Sequence, residues 1–303
     1  MTSNRLEVPF LEKTIKSPIV AASGCYGYGL EQPELLPPEA FGAITLKGLS
    51  ATPKRGNPPP RIAETPCGML NSIGLENVGI EAFAKNTWPH LRGLGVPIIA
   101  NFFGDDETEF QKAAQMLSDL EGLFAMELNL SCPNKPQWGS ILASDPKVAS
   151  RLVRSIKPLC RYPLIVKLSP NVASISEVAK ACEDSGADAL SLINTLLGMA
   201  IDVDAKSSRL GTRFGGLSGP SIYPIALRMV SEVSRAVRIP IVGMGGVSSP
   251  EDAIGMMLAG ASLVGVGTLL LVNPFGVEEI KQGMLAYLDR HGLEKVACLQ
   301  GRL

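Results

Sequence analysis

Eight short apolar runs punctuate the chain, at residues 18–23, 43–47, 97–102, 124–130, 163–168, 189–194, 240–245 and 263–268. Each is rich in Val, Ile and Leu and is apolar at consecutive positions, the pattern of a parallel strand covered on both faces. Between most of them the apolar positions switch to helical spacing, over residues 76–91, 106–120, 146–159, 174–185, 220–237 and 250–259, with a last helix at 274–290. Asp145-Pro146 and Ser249-Pro250 place a capping side chain ahead of a first-turn proline, marking two helix starts. Strand-then-helix alternation through eight units predicts an α/β fold, a closed (β/α)8 TIM barrel forming one domain over residues 1–303. An open doubly wound sheet fits that count less well. Two connections, 48–74 and 196–219, are too long for simple turns and predict functional loops.

One stretch competes with this reading. Residues 253–277 hold no charged side chain over 25 positions, and ~20 apolar residues suffice to span a bilayer. Five glycines (255, 260, 265, 267 and 276) and Asn273-Pro274 interrupt it, so a buried helix followed by a buried strand is expected instead. The first 18 residues mix charge among their apolar positions and hold no secretory core.

Composition narrows the class. Of 303 residues, 46% are hydrophobic and 19% charged, which describes a globular body and excludes a disordered or fibrous one. Lys and Arg number 28 against 29 Asp and Glu, so no basic excess points to nucleic acid or an anionic membrane. The 31 glycines and 23 prolines suit a loop-rich enzyme rather than a helical bundle. Six cysteines, at 25, 67, 132, 160, 182 and 298, include no C-x-x-C pair. No metal site or disulfide framework is therefore expected, and a reducing, cytoplasmic setting fits.

In such a barrel the chemistry gathers where the strands end. Those ends read Ser23, Lys47-Gly48, Asn101, Asn129-x-x-Cys132, Lys167, Asn194-Thr195, Gly245-Gly246 and Gly267-Thr268. Glycines closing the seventh and eighth strands suit a cradle of backbone N–H groups around a phosphate. No G-x-G-x-x-G follows a first strand, so a mononucleotide fits better than a dinucleotide. Lys47 and Lys167 end apolar strands, where a buried ammonium needs an anion or an electron-rich ligand group. One suits the electron-rich edge of a flavin and the other a substrate carboxylate.

Asn71, Asn129, Asn134 and Asn194 bring donors and acceptors suited to a flat neutral ring such as a pyrimidine. His90 and His291, the only histidines, lie at a helix end and in the C-terminal tail and are expected on the surface. If the chemistry needs a proton acceptor, Cys132 is the alternative candidate, since a cysteine can act as a base where its surroundings favour thiolate. Cys160, Cys182 and Cys298 read as packing, while Cys25 and Cys67, in loops on the rim side, stay open.

The segment Glu127-Leu128-Asn129-Leu130-Ser131-Cys132-Pro133-Asn134 resembles the active-site loop of the dihydroorotate dehydrogenases, and the likeness runs from Ala22 through Thr268. The class 1B subgroup is the nearest match. Its marks are Gly56-Asn57-Pro58-Pro59-Pro60-Arg61 with Glu64-Thr65-Pro66, then Gly68-Met69-Leu70-Asn71-Ser72-Ile73-Gly74-Leu75, Leu192-Ile193-Asn194-Thr195 and Gly215-Gly216-Leu217-Ser218-Gly219-Pro220. The resemblance implies an FMN-binding barrel that oxidises (S)-dihydroorotate to orotate in pyrimidine biosynthesis. Cys132 would remove the C5 proton while hydride leaves C6 for N5 of FMN. It implies that Lys47, Asn71, Ser72, Ile73, Gly74, Leu75, Asn129, Asn134, Asn194 and Thr195 hold the substrate. Ser23, Lys47, Gly48, Asn101, Asn129, Lys167, Ile193 and Gly219 would contact FMN, with Gly245, Gly246, Gly267 and Thr268 on its phosphate.

The same resemblance implies a homodimer joined to an FAD and iron–sulfur subunit in a heterotetramer, passing electrons to NAD. The chain departs from the family at 135–139, where Lys135-Pro136-Gln137-Trp138-Gly139 is a stiffer lid than the usual glycine-rich one. Two rival readings share the barrel: a Schiff-base lyase or aldolase with Lys167 as nucleophile, and a non-catalytic scaffold that binds FMN.

Overall fold

A strand that is apolar at every position has no polar face to offer water, so such strands are stable only with helices outside and side chains filling the inside. The computed structural model describes residues 3–31, 33–130 and 144–303 and shows that arrangement. Its barrel strands are β1 (Ile19–Ala21), β2 (Ala43–Thr45), β3 (Ile98–Phe102) and β4 (Ala125–Asn129), then β5 (Leu164–Lys167), β6 (Ala189–Leu192), β7 (Ile241–Met244) and β8 (Leu263–Val266). Neighbours pair in parallel, and β8 returns to β1 with Val264 opposite Ile19 and Val266 opposite Ala21, which closes the barrel. Every residue of the eight strands is buried.

The helices form where apolar positions repeat every three or four residues. Pro146–Ile156 buries Ala149, Leu152, Val153 and Ile156, one stripe along the helix. Its expected cap is present, with Asp145 accepting from the Lys147 N–H. Ser249 caps Pro250–Leu258 in a reciprocal box with Asp252. The uncharged stretch at 253–277 resolves into the end of that helix, β8 and the short helix Thr268–Val272. None of the helices among the described residues is long and apolar enough to cross a membrane.

Three features depart from the pattern read in the sequence. An antiparallel hairpin, Val8–Phe10 with Lys13–Ile15, covers the N-terminal end of the barrel. Its Phe10 packs on Phe124, the residue before β4, with ring centroids 6.3 Å apart. Strand eight stops at Val266, and Thr268 opens a helix instead of ending the strand. The two long connections are not loops throughout. Their segments Ile62–Thr65, Gly68–Asn71, Gly215–Ser218 and Leu196–Gly198 pair into one antiparallel sheet over the C-terminal rim. Asn71 stands opposite Gly216, a pairing between distant parts of the chain that no local periodicity announces.

Candidate active site at the barrel mouth

Side chains two positions apart on a strand share a face, so Glu127 and Asn129 both point into the barrel from β4, at 2% and 7% exposure. Asn101 on β3, Lys167 on β5 and Ser191 on β6 are also buried. Charges at this depth cost several kcal/mol each unless paired and hydrogen-bonded, on the order of the effective penalty for buried ions. Glu127 meets that demand. Its Oε1 accepts from Asn101 Nδ2 at 2.6 Å and lies 4.0 Å from Lys167 Nζ, while its Oε2 accepts from Ser191 Oγ at 2.6 Å. The strand ends therefore carry a charge-balanced polar cluster inside an otherwise apolar barrel.

One atom of the cluster is left over. Asn101 Oδ1 is buried and has no hydrogen-bond partner among the described residues. It faces Gly48, where an added Cβ would stand only 2.8 Å from that oxygen. Ser23 Oγ donates to Leu46 O at 2.8 Å, tying the ends of β1 and β2 beside this gap. Lys47 is half-buried next to it, and among the described residues it makes no ion pair.

Across the mouth the chain narrows to backbone. Gly245 and Gly246 take φ of 127° and 75°, which L side chains avoid, and a Cβ on Gly246 would lie 2.6 Å from Tyr223 N. Gly219 carbonyl oxygen approaches the same position at 2.8 Å, so the 219 turn and the end of β7 touch. Thr268 Oγ1 donates to Ser218 Oγ at 2.8 Å and brings the end of β8 to this place as well. The first N–H groups of the helix that Thr268 opens have no intrahelical acceptor. Ile193 is buried against Gly245, and its N–H donates to Met244 O at 2.8 Å. Gly219, Gly245, Gly246 and Thr268 thus lie near one another at the ends of β7 and β8.

The rim loop at 71–76 is held from behind. Ser72 Oγ accepts from Asn57 Nδ2 at 2.8 Å and from Thr212 Oγ1 at 2.7 Å, and Ser72 N donates to Arg61 O. Its polar atoms brace the loop. Ile73 O accepts from Asn57 N, Gly74 packs on Asn57, and Arg61 pairs with Glu76 at 2.6 Å. Asn71 Nδ2 reaches Gly216 O at 3.4 Å, and Leu75 takes a positive φ of 60°. On the facing loop Asn194 Oδ1 accepts from Thr195 N, while Asn171 clamps Thr195 O and Leu197 N at 3.0 Å each. Glu127, Ser191, Asn57 and Asn171 are the supports that strand-end reading passed over. A charged residue in the middle of an apolar run was the available signal for Glu127.

Cys132, Asn134 and the lid at 135–139 lie outside the described residues. Cys25 sits beside Gly267, and burial pushes its thiol above the ordinary value against the opposing pull of Lys167. Burial raises Cys160 and Cys182 to about 12, in keeping with inert packing. Cys298 is exposed, contrary to its packing assignment, because Val296 and Leu299 take the inward positions of that turn. Cys67 is exposed on the rim sheet, and both histidines are on the surface. No group of His, Cys, Asp or Glu among the described residues could hold a metal ion. A cleft of about 950 Å3 opens at the opposite, N-terminal end, between the hairpin and the starts of β5, β6 and β7, away from this cluster.

The sequence profile of the family described as Dihydroorotate dehydrogenase matches residues 5–288. The chain is 48% identical over 289 residues to a protein of Pelobacter propionicus named "Dihydroorotate dehydrogenase B (NAD(+)), catalytic subunit", covering 95% of each. It is 45% identical over 299 residues to a protein of the same name from Bacillus mycoides, covering 99% of this chain and 97% of that one. In fold it resembles a ligand-free DHODH of Eimeria tenella, with a TM-score of 0.83 at 19% identity over 99% of this chain and 92% of the other.

Proposed function

The chain belongs to the dihydroorotate dehydrogenase family, and from that membership we propose that it oxidises dihydroorotate to orotate as the catalytic subunit of an NAD-linked enzyme. We propose further that its cofactor is FMN, held in the barrel mouth of one domain spanning residues 1–303. The observation that carries the cofactor is Asn101 Oδ1, buried and unpartnered beside Gly48. A buried acceptor left unsatisfied costs about 1–3 kcal/mol, and a flat ring with an N–H on its edge would satisfy it.

The residues present fit that group. On this reading Ser23, Lys47, Gly48, Asn101, Asn129, Lys167, Ile193 and Gly219 would contact the ring, and Gly245, Gly246, Gly267 and Thr268 would hold its phosphate, which the close backbone approach at Gly246 supports. When bound, the flavin supplies the hydride acceptor. The chain's own residues do the rest. Cys132, three positions past the end of β4, accepts the C5 proton as thiolate. Lys47, which makes no ion pair among the described residues, supplies the ammonium for the substrate carboxylate. Asn71, Asn129, Asn134 and Asn194 hydrogen-bond the ring amides, and Thr195 and the loop Ser72-Ile73-Gly74-Leu75 hold it in place. Lys167 is engaged with Glu127, which favours a ring-contacting role over the Schiff-base nucleophile of the lyase reading.

The relatives' name speaks of a catalytic subunit and NAD, which supports a second subunit as electron carrier. We take it to carry FAD and an iron–sulfur cluster, joined to a homodimer of this chain in a cytoplasmic heterotetramer. Purification tests the set. The isolated chain is expected to be yellow, to release FMN on denaturation, and to reduce NAD with dihydroorotate only when the second subunit is added. A chain that takes up no flavin would overturn the proposal.

A further inference from the structure

An asparagine side chain has a donor end and an acceptor end of nearly the same shape, so something must decide which end a ligand meets. At Asn101 the deciding group is Glu127. Glu127 is 2% exposed, and its carboxylate only accepts. Ser191 Oγ occupies Oε2 at 2.6 Å and Lys167 Nζ stands 4.0 Å from Oε1, so the carboxylate is pinned from two further strands. Its remaining contact, Oε1 at 2.6 Å, falls on the amide nitrogen of Asn101. Turning that amide over would set oxygen against carboxylate oxygen in a dry interior, where repulsion is strong. The amide oxygen is consequently directed away, toward the gap beside Gly48, and it is the atom left without a partner.

We propose that Glu127 is a positioning residue: by demanding the N–H end of Asn101, it makes the site present an acceptor and select a cofactor ring with an N–H on the facing edge. The inference rests on the flavin reading of the mouth. Oxidised flavin has a single ring N–H, the imide between its two carbonyls, so the chemistry it predicts is specific. Lys167, held beside the same carboxylate, places a donor next to the acceptor, which suits an N–H adjoining a carbonyl. Ser191 acts one step further back, by fixing the carboxylate that fixes the amide.

Competition between FMN and its N3-methyl analogue tests this. Each holoprotein is equilibrated with both flavins, and the bound fraction is extracted and quantified. Wild type is expected to reject the analogue strongly. Glu127→Gln, which can donate as well as accept, releases the amide orientation, and the discrimination is expected to fall about tenfold, the worth of one charge-assisted hydrogen bond. Glu127→Asp keeps the charge opposite Lys167 but withdraws it from Asn101, and the same loss is expected; it serves if the glutamine variant does not fold. In an Asn101→Ala background neither change should alter the ratio by more than about twofold, since the two residues act as one unit. A purely structural role for Glu127 would lower the affinity for both flavins and leave the ratio unchanged. Wild-type discrimination in either folded Glu127 variant, or a loss that persists with Asn101 removed, would overturn the inference. A wild-type chain that binds neither flavin would instead overturn the flavin reading.

Discussion

Lys167 and Glu127 share the inside of the barrel at 7% and 2% side-chain exposure, and neither side chain can be removed without consequence for the other. Replacing Lys167 with Met would keep the volume and strand the carboxylate, and loss of one member of a buried pair costs roughly 3–5 kcal/mol. Urea unfolding of the variant should show a midpoint lowered to match; a change below about 1 kcal/mol would mean that the carboxylate does not depend on the lysine. At this scale, part of the site was legible from sequence. Lys167, Asn101 and Asn129 stand out as polar groups closing apolar runs, which is where a barrel keeps its chemistry. Glu127 stands in the same run but earned no role, because its partners come from strands 26 and 64 positions away. Ser72 was expected to hold substrate; its hydroxyl also accepts from Asn57 and Thr212, a bracing of that loop which only tertiary contact could reveal.

Among the elements, the barrel strands and most helices follow directly from periodicity. Leu152 shows why: it lies in the buried stripe of Pro146–Ile156 at 2% exposure. Leu152→Ala should cost about 2–5 kcal/mol in denaturant unfolding, as large-to-small core changes do. An unchanged midpoint would show that this helix contributes no packing. The rim sheet was illegible because its strands are only three or four residues long and its central pairing, Gly68–Asn71 with Gly215–Ser218, spans about 145 positions. Gly216 marks how tight that pairing is, since a Cβ there would stand 2.1 Å from Thr195 Oγ1. Gly216→Ala should push Thr195 aside and raise the KM for dihydroorotate several-fold, about 1 kcal/mol of lost binding, with flavin content unchanged. A normal KM would remove Thr195 from the substrate subsite. Helix Thr268–Val272 escaped for the opposite reason: its Thr-Leu-Leu-Leu-Val sequence continues an apolar strand, yet it exposes Leu271 and Val272.

Taken as one molecule, the barrel separates its two ends. The hairpin that places Phe10 on Phe124 packs on the N-terminal end beside an open cleft, while the C-terminal end keeps a polar cluster with one acceptor unsatisfied. That division lets loops change at the mouth without disturbing the apolar layers below. It also makes the central claim simple to test: anaerobic dihydroorotate is mixed with the purified chain and the absorbance of its bound flavin is followed in wild type and in Cys132→Ala. Bleaching is expected in wild type, with a variant that keeps its flavin but is reduced about 10²–10⁴-fold more slowly, the contribution of a positioned base. Reduction of the variant at the wild-type rate, or a wild-type flavin that dihydroorotate leaves oxidised, would contradict that claim.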